Sequence, residues 1–117
     1  SRELPPHRPD VTFLEVRISA PAEHADALAH ALVEERLAAC CQLINGVRST
    51  YLWEDAVEQA DEILLLAKTR ADLFDRLAAR VTELHPYDVP EVVAVPLTHL
   101  ASPYAAWLAS VLGEPSA

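Results

Sequence analysis

The residues with the chemistry to form a site are Cys40, Trp53, Lys68, His85, Tyr87, Glu91 and His99. His85 can ligate a metal ion through a neutral imidazole. It also ends a helical pattern just before Pro86, where the helix dipole favours imidazolium and opposes a metal. Cys40 can bind a soft ion, but its neighbour Cys41 cannot readily help. Adjacent strand residues face apart, so the pair does not chelate one ion as C-x-x-C does. Buried structural thiols are the rival reading. His99 follows a strand and can serve a pocket or cap a helix. Lys68 lies in an apolar strand, where an unpaired charge is costly. Glu91 is its expected partner, and Tyr87 has a phenol to place. With Trp53, these groups suit a pocket between subunits for a small anion or a metal complex, or an ion pair that locks subunits together. Trp53 and Trp107 also read as interface and core packing. His7, His24 and His30 read as solvated.

No hallmark of nucleophilic catalysis accompanies these residues, and an enzyme is not expected. Gly46 and Gly113 are the only glycines, so there is no Gly-rich phosphate loop. There is no nucleophile elbow and no H-E-x-x-H. Nine Lys and Arg stand against 18 Asp and Glu, a net charge of −9 that argues against a duplex nucleic-acid binder. The same acidity permits cation binding and also serves solubility. A length of 117 residues suits one domain, here residues 11–113. Residues 1–10, with three prolines, read as a disordered lead, and 114–117 as a tail. That lead lacks the apolar centre of a signal peptide, and the absence of Met implies a trimmed or replaced start. No run approaches a membrane span. Two reduced thiols imply a reducing compartment.

The elements that must position the site follow from periodicity. Val11–Ser19 reads as a central strand, rich in β-branched residues. A helix opens at Pro21 and runs to about Arg36, with Ala25, Leu28, Ala29, Leu32 and Val33 on one face. Strand two runs from about Ala39 to Trp53, longer than the usual five or six residues. Asn45-Gly46 inside it reads as a bend or bulge rather than a hairpin turn. Glu54–Asp61 reads as a polar turn, and Glu62–Thr69 as strand three. Thr69 and Asp72 have capping-box spacing for a second helix that ends at His85-Pro86. Glu91–Thr98 reads as strand four, an edge because it contains Pro96. Ser102-Pro103 opens a last helix as cap and first-turn proline; Tyr104, Trp107, Leu108 and Val111 are expected to face inward, and Gly113 stops it.

The order β-α-β-β-α-β plus a terminal helix is the α+β, ferredoxin-like plan. Strands one and three are expected side by side, with two and four at the edges. Strand two is then a long, unpaired edge that this small domain cannot cover, and a neighbouring subunit is expected to cover it.

The chain also resembles the CutA family, named for divalent-cation tolerance. The residues that carry the likeness are E-E-R-L-A-A-C (34–40), S-T-Y-L-W-E (49–54), L-L-A-K-T (65–69), H-P-Y-D-V-P-E (85–91), P-L-T-H (96–99) and Y-A-A-W-L (104–108). The match is collinear over about residues 11 to 112. The resemblance implies a cytoplasmic homotrimer that binds copper or another divalent cation, with an architecture similar to the PII signalling proteins. The copper ligands proposed in the family are a cysteine near the end of strand one and two successive histidines before Pro-Tyr. Here those positions hold Ile18, Leu84 and His85, so His85 alone is kept. The expected function is metal tolerance through His85, with Cys40 or carboxylates of another chain. The alternatives are a PII-like module binding a small metabolite between subunits, at Lys68, Tyr87, Glu91, Trp53 and His99, or a structural trimer with no ligand.

Overall fold

The computed structural model describes residues 11–113; the expected lead and tail lie outside the described residues. The elements are β1 (Phe13–Ala20), α1 (Ala22–Glu34), β2 (Cys40–Trp53), β3 (Ala56–Arg70), a single 3-10 turn (Ala71–Leu73), α2 (Phe74–Leu84), β4 (Val92–Leu97) and α3 (Ser102–Leu112). The four strands form one antiparallel sheet in the order β2-β3-β1-β4, the ferredoxin-like arrangement.

Alternation along β1 divides the sheet into two unlike faces. Val16, Ile18 and Ala20, with Leu65 and Ala67 opposite them, pack against Leu28 and Leu32 of α1 and Leu77 and Val81 of α2. On the other face, α3 covers only the end that holds Phe13, Ala39 and Leu73, through Ala105, Leu108 and Leu112. The remainder of that face is open. Two arginines anchor α3 there by satisfying its last carbonyls. Arg36 Nη1 donates to the Val111 carbonyl at 3.0 Å, and the buried Arg70 donates to the carbonyls of Leu112 and Gly113.

The hairpin differs from the expected polar turn over 54–61. The turn is only Glu54-Asp55, both at positive φ (50° and 66°), as a two-residue connection of this hand requires. Residues 56–61 continue β3, with Ala56 opposite Trp53 and Asp61 opposite Arg48. Their polarity reflects a ribbon that projects beyond the body of the domain, with solvent on both sides. At Asn45-Gly46 the register shifts between Ile44 and Val47, so the expected bulge is present, with Gly46 at φ 80°.

Three helix starts also differ. Thr69 belongs to β3, and its Oγ1 donates to the Leu37 carbonyl at 2.6 Å instead of capping α2. Ser102 makes no capping hydrogen bond, since Ala101 holds the cap position of α3. Pro21 is itself the cap residue of α1, which ends at Glu34, two residues short of Arg36. Tyr104 and Trp107 do not face inward; they lie half-exposed against each other, 5.6 Å between centroids.

Thr69 is fully buried, so its hydroxyl bond ties the α1–β2 connection to β3. Thr69→Val removes the donor and leaves the Leu37 carbonyl unsatisfied. The expected loss is about 1–3 kcal/mol, read as a lower urea midpoint with an unchanged denaturant slope.

Candidate functional site

The hairpin outruns the rest of the sheet. β1 ends at Ala20 opposite Ile63, whereas β3 begins seven positions earlier, at Ala56. The chain leaving α2 occupies the space beside the projecting ribbon. His85 pins it there. The buried ring lies 2.7 Å from the Ser19 carbonyl through Nε2, and its Nδ1 accepts the Tyr87 amide hydrogen at 3.1 Å. Because Nδ1 accepts, Nε2 carries the proton and donates to Ser19. Both ring nitrogens are therefore engaged, and a metal at His85 must displace one of these partners.

The pinned segment sets Tyr87 against the His85 ring, with centroids 4.8 Å apart. The Tyr87 hydroxyl then donates to Glu62 Oε2 at 3.1 Å. Burial, and next the Glu62 carboxylate, hold the Tyr87 hydroxyl above the ordinary tyrosine value. Glu62 is only 6% exposed. A cleft of about 630 Å³ opens beside this pair, lined by Tyr51 and Trp53 of β2, Glu62 of β3, and Tyr87, Asp88 and Glu91 of the segment after α2. Among the described residues, no Lys, Arg or His lines it.

The structure thus gathers Trp53, Tyr87 and Glu91 in one cleft and places the other expected residues elsewhere. Lys68 does not pair with Glu91. Its Nζ lies 3.6 Å from Glu15 Oε2 and donates to Gln42 Oε1 at 3.2 Å. Lys68 pairs with Glu15 in the sheet, while Glu91 precedes Val92, the partner of Ile18. Glu91 thus falls at the Ser19 row, about 13 Å along β1 from Glu15. His99 is exposed in a separate groove, its Nδ1 3.0 Å from Thr98 Oγ1. Cys40 sits opposite Lys68, four residues along the sheet from the Ser19 row that holds His85, about 13 Å away. One chain does not bring Cys40 and His85 onto one ion. Among the described residues, no three His, Cys, Asp or Glu side chains cluster to hold a metal.

Both cysteines are free thiols. Cys41 packs against the helix-covered core, and burial, with Cys40 adding to it and Lys68 opposing, pushes its thiol up to about 12. Cys40 lies on the open face near Tyr104, whose hydroxyl is held above the ordinary tyrosine value chiefly by burial, with Cys40 adding to it. Sequence reasoning missed Glu62, Tyr51 and Asp88 as site residues. Glu62 read as the first residue of a strand, and its burial beside Tyr87 depends on a segment distant in sequence. A signal was present in that Glu62, Leu64, Leu66 and Lys68 share one face, which marks a carboxylate on the sheet's open side.

An antiparallel ferredoxin-like sheet with an overlong hairpin and an acidic, aromatic cleft defines a small α+β protein. The family model "CutA1 divalent ion tolerance protein" matches residues 15–111. The chain belongs to this CutA1 family. It is 47% identical over 94 residues to the divalent-cation tolerance protein CutA of Thermus thermophilus, covering 80% of this chain and 91% of that one. It is 40% identical over 84% of its length to the chloroplastic protein CutA of Arabidopsis thaliana, of which it spans 54%. The crystal structure of CutA1 from Oryza sativa superposes with a TM-score of 0.87 at 37% identity, covering 92% of this chain and all of that one. The family description names ion tolerance and no reaction.

A thiol whose folded-state pKa lies above its unfolded value of 9.0 stabilises the fold fully below pH 9. That contribution is lost as pH rises from 9 towards about 12, because the unfolded chain releases the proton first. The urea midpoint of the wild type is therefore expected to fall more steeply above pH 9 than that of Cys41→Ala. Parallel pH profiles for the two proteins would contradict the assignment.

Proposed function

We propose that three copies of the chain form a cytoplasmic homotrimer that binds divalent cations, copper among them, with modest affinity and contributes to metal tolerance. The open sheet face carries this reading. Ile44, Val93 and Val95 are 45%, 50% and 40% exposed there, around the ion pairs of Glu15 with Arg17 and Lys68. A solvated face of an antiparallel sheet is polar; this one has the composition of an interface, apolar with a few paired charges. The chain extends 52 Å along its longest axis against 28 and 24 Å across, so the hairpin can reach a neighbour and a head-to-tail contact can close a ring. Among the described residues no helix is long and apolar enough to cross a membrane. The two free thiols suit a reducing compartment.

The metal reading rests on the family description, on the net charge of −9 and on ligands drawn from more than one copy. Cys40, on the open face, and His85, once its Nδ1 releases the Tyr87 amide, are the soft and borderline donors it would use. A PII-like small-molecule sensor is the second reading. The cleft beside Tyr87 favours it, because three of the proposed pocket residues meet there.

Light scattering at micromolar concentration should give three times the chain mass. Val93→Glu, a charge placed on the open face, should give smaller species that remain folded by circular dichroism. A folded, monomeric wild type would remove the trimer. Calorimetric titration with Cu²⁺ and Zn²⁺ should show heats that fall in Cys40→Ala and in His85→Ala; equal heats from all three proteins would remove both ligands.

A further inference from the structure

We infer that the cleft between the hairpin and residues 86–91 binds a small organic ammonium ion, with Glu62 as counter-charge and Tyr51, Trp53 and Tyr87 as walls. This goes beyond metal tolerance, and every residue the inference names comes from one chain.

Charge selects the class of ligand. Among the described residues every ionisable side chain in the lining is a carboxyl or a phenol, so an anion finds no positive charge there. Glu62 is the decisive group. It is 94% buried by the 6% exposure of the residue, its one side-chain hydrogen bond is from Tyr87, and among the described residues no Lys, Arg or His forms an ion pair with it. A carboxylate so placed is costly unless a positive charge or further donors reach it. The Tyr87 hydroxyl donates to Oε2, and among the described residues nothing hydrogen-bonds to Oε1, which a ligand can reach.

The walls decide between kinds of cation. A bare divalent ion needs six or more oxygen donors, or a close set of His, Cys and carboxylate ligands. The described residues provide no such set. Tyr51, Trp53 and Tyr87 instead present aromatic rings, whose faces attract organic cations, quaternary ammonium ions above all. Asp88 and Glu91 line the same cleft and add to its negative potential. A volume of about 630 Å³ is in the range of small-molecule sites.

The test uses the assembled protein in a Trp107→Phe background, so that Trp53 alone fluoresces. Tetramethylammonium and 1,4-diaminobutane are the probes, neopentyl alcohol is the uncharged shape match, and Mg²⁺ is the inorganic control. The ammonium ions should bind by calorimetry and change the Trp53 emission, while the alcohol and Mg²⁺ do neither. Glu62→Gln should weaken binding by about tenfold or more. Trp53→Leu, on the exposed hairpin and tolerable for folding, should weaken it in calorimetry and supplies the test if Glu62→Gln does not fold. Equal binding of the alcohol, displacement of the ammonium by Mg²⁺, or unchanged affinity in both variants would overturn the inference. So would the absence of any uptake by the assembled wild type, which would mean that a side chain of another copy fills the cleft.

Discussion

The structure depends on a mismatch of strand lengths. β1 has eight residues, while β2 and β3 have 14 and 15. The two strands of the hairpin pair with each other on both sides of the Asn45-Gly46 bulge, so the ribbon can exist without β1 beside it, with the outward half of its backbone groups left unpaired there. What it lacks there is burial. Only where the hairpin lies within the sheet do its side chains enter the core, as Leu65 and Ala67 do. Beyond Ile63 its residues are exposed or half-exposed, apart from Glu62, with Leu52 and Val57 open to solvent at 73% and 70%, and stability in that region has to come from another element.

Part of that element is supplied by the segment after α2. The helix stops because Pro86 forces His85 out of the α region, and the cap residue is extended at φ −79° and ψ 141°. This conformation lets the imidazole reach back to the last turn of β1. A single neutral ring then joins three pieces of chain: it donates to Ser19, accepts from the Tyr87 amide and packs on the Tyr87 ring. Tyr87 carries the connection to Glu62 on β3. The conformational entropy of a seven-residue connection between α2 and β4 is thus opposed by one buried histidine rather than by apolar packing.

The fold was legible because its signals are local and mutually consistent. The alternation in β1, the apolar stripe of α1 and the Pro-marked ends of α2 and α3 all follow from nearest neighbours in the chain. The misjudged elements are those whose environment is set by distant residues. Residues 56–61 look like a turn because a strand without a core neighbour needs no apolar face. Thr69 has the spacing of a cap, but a buried carbonyl at Leu37 makes the competing demand. The cleft was legible only in part. Trp53, Tyr87 and Glu91 do meet, but Lys68 was assigned to them because both it and Glu91 needed a partner. Register decides otherwise: strand pairing sets Lys68 opposite Glu15, and no sequence-local pattern specifies that pairing.

Moving Lys68 out of the cleft changes what the cleft can do. With a lysine it would attract carboxylates and phosphates; without one, its field is set by Glu62, Asp88 and Glu91 in a chain that already carries a net charge of −9. Lys68 instead offsets Glu15 on the open face, where Arg17 also approaches the same carboxylate at 3.3 Å. Such a mutually paired cluster can be covered by apolar surface at modest cost, whereas an unpaired lysine cannot. The same residue therefore makes the open face fit for burial and leaves the cleft to cations. These two roles of the sheet are separated by only a few residues along β3, from Lys68 at one end to Glu62 where β1 gives out.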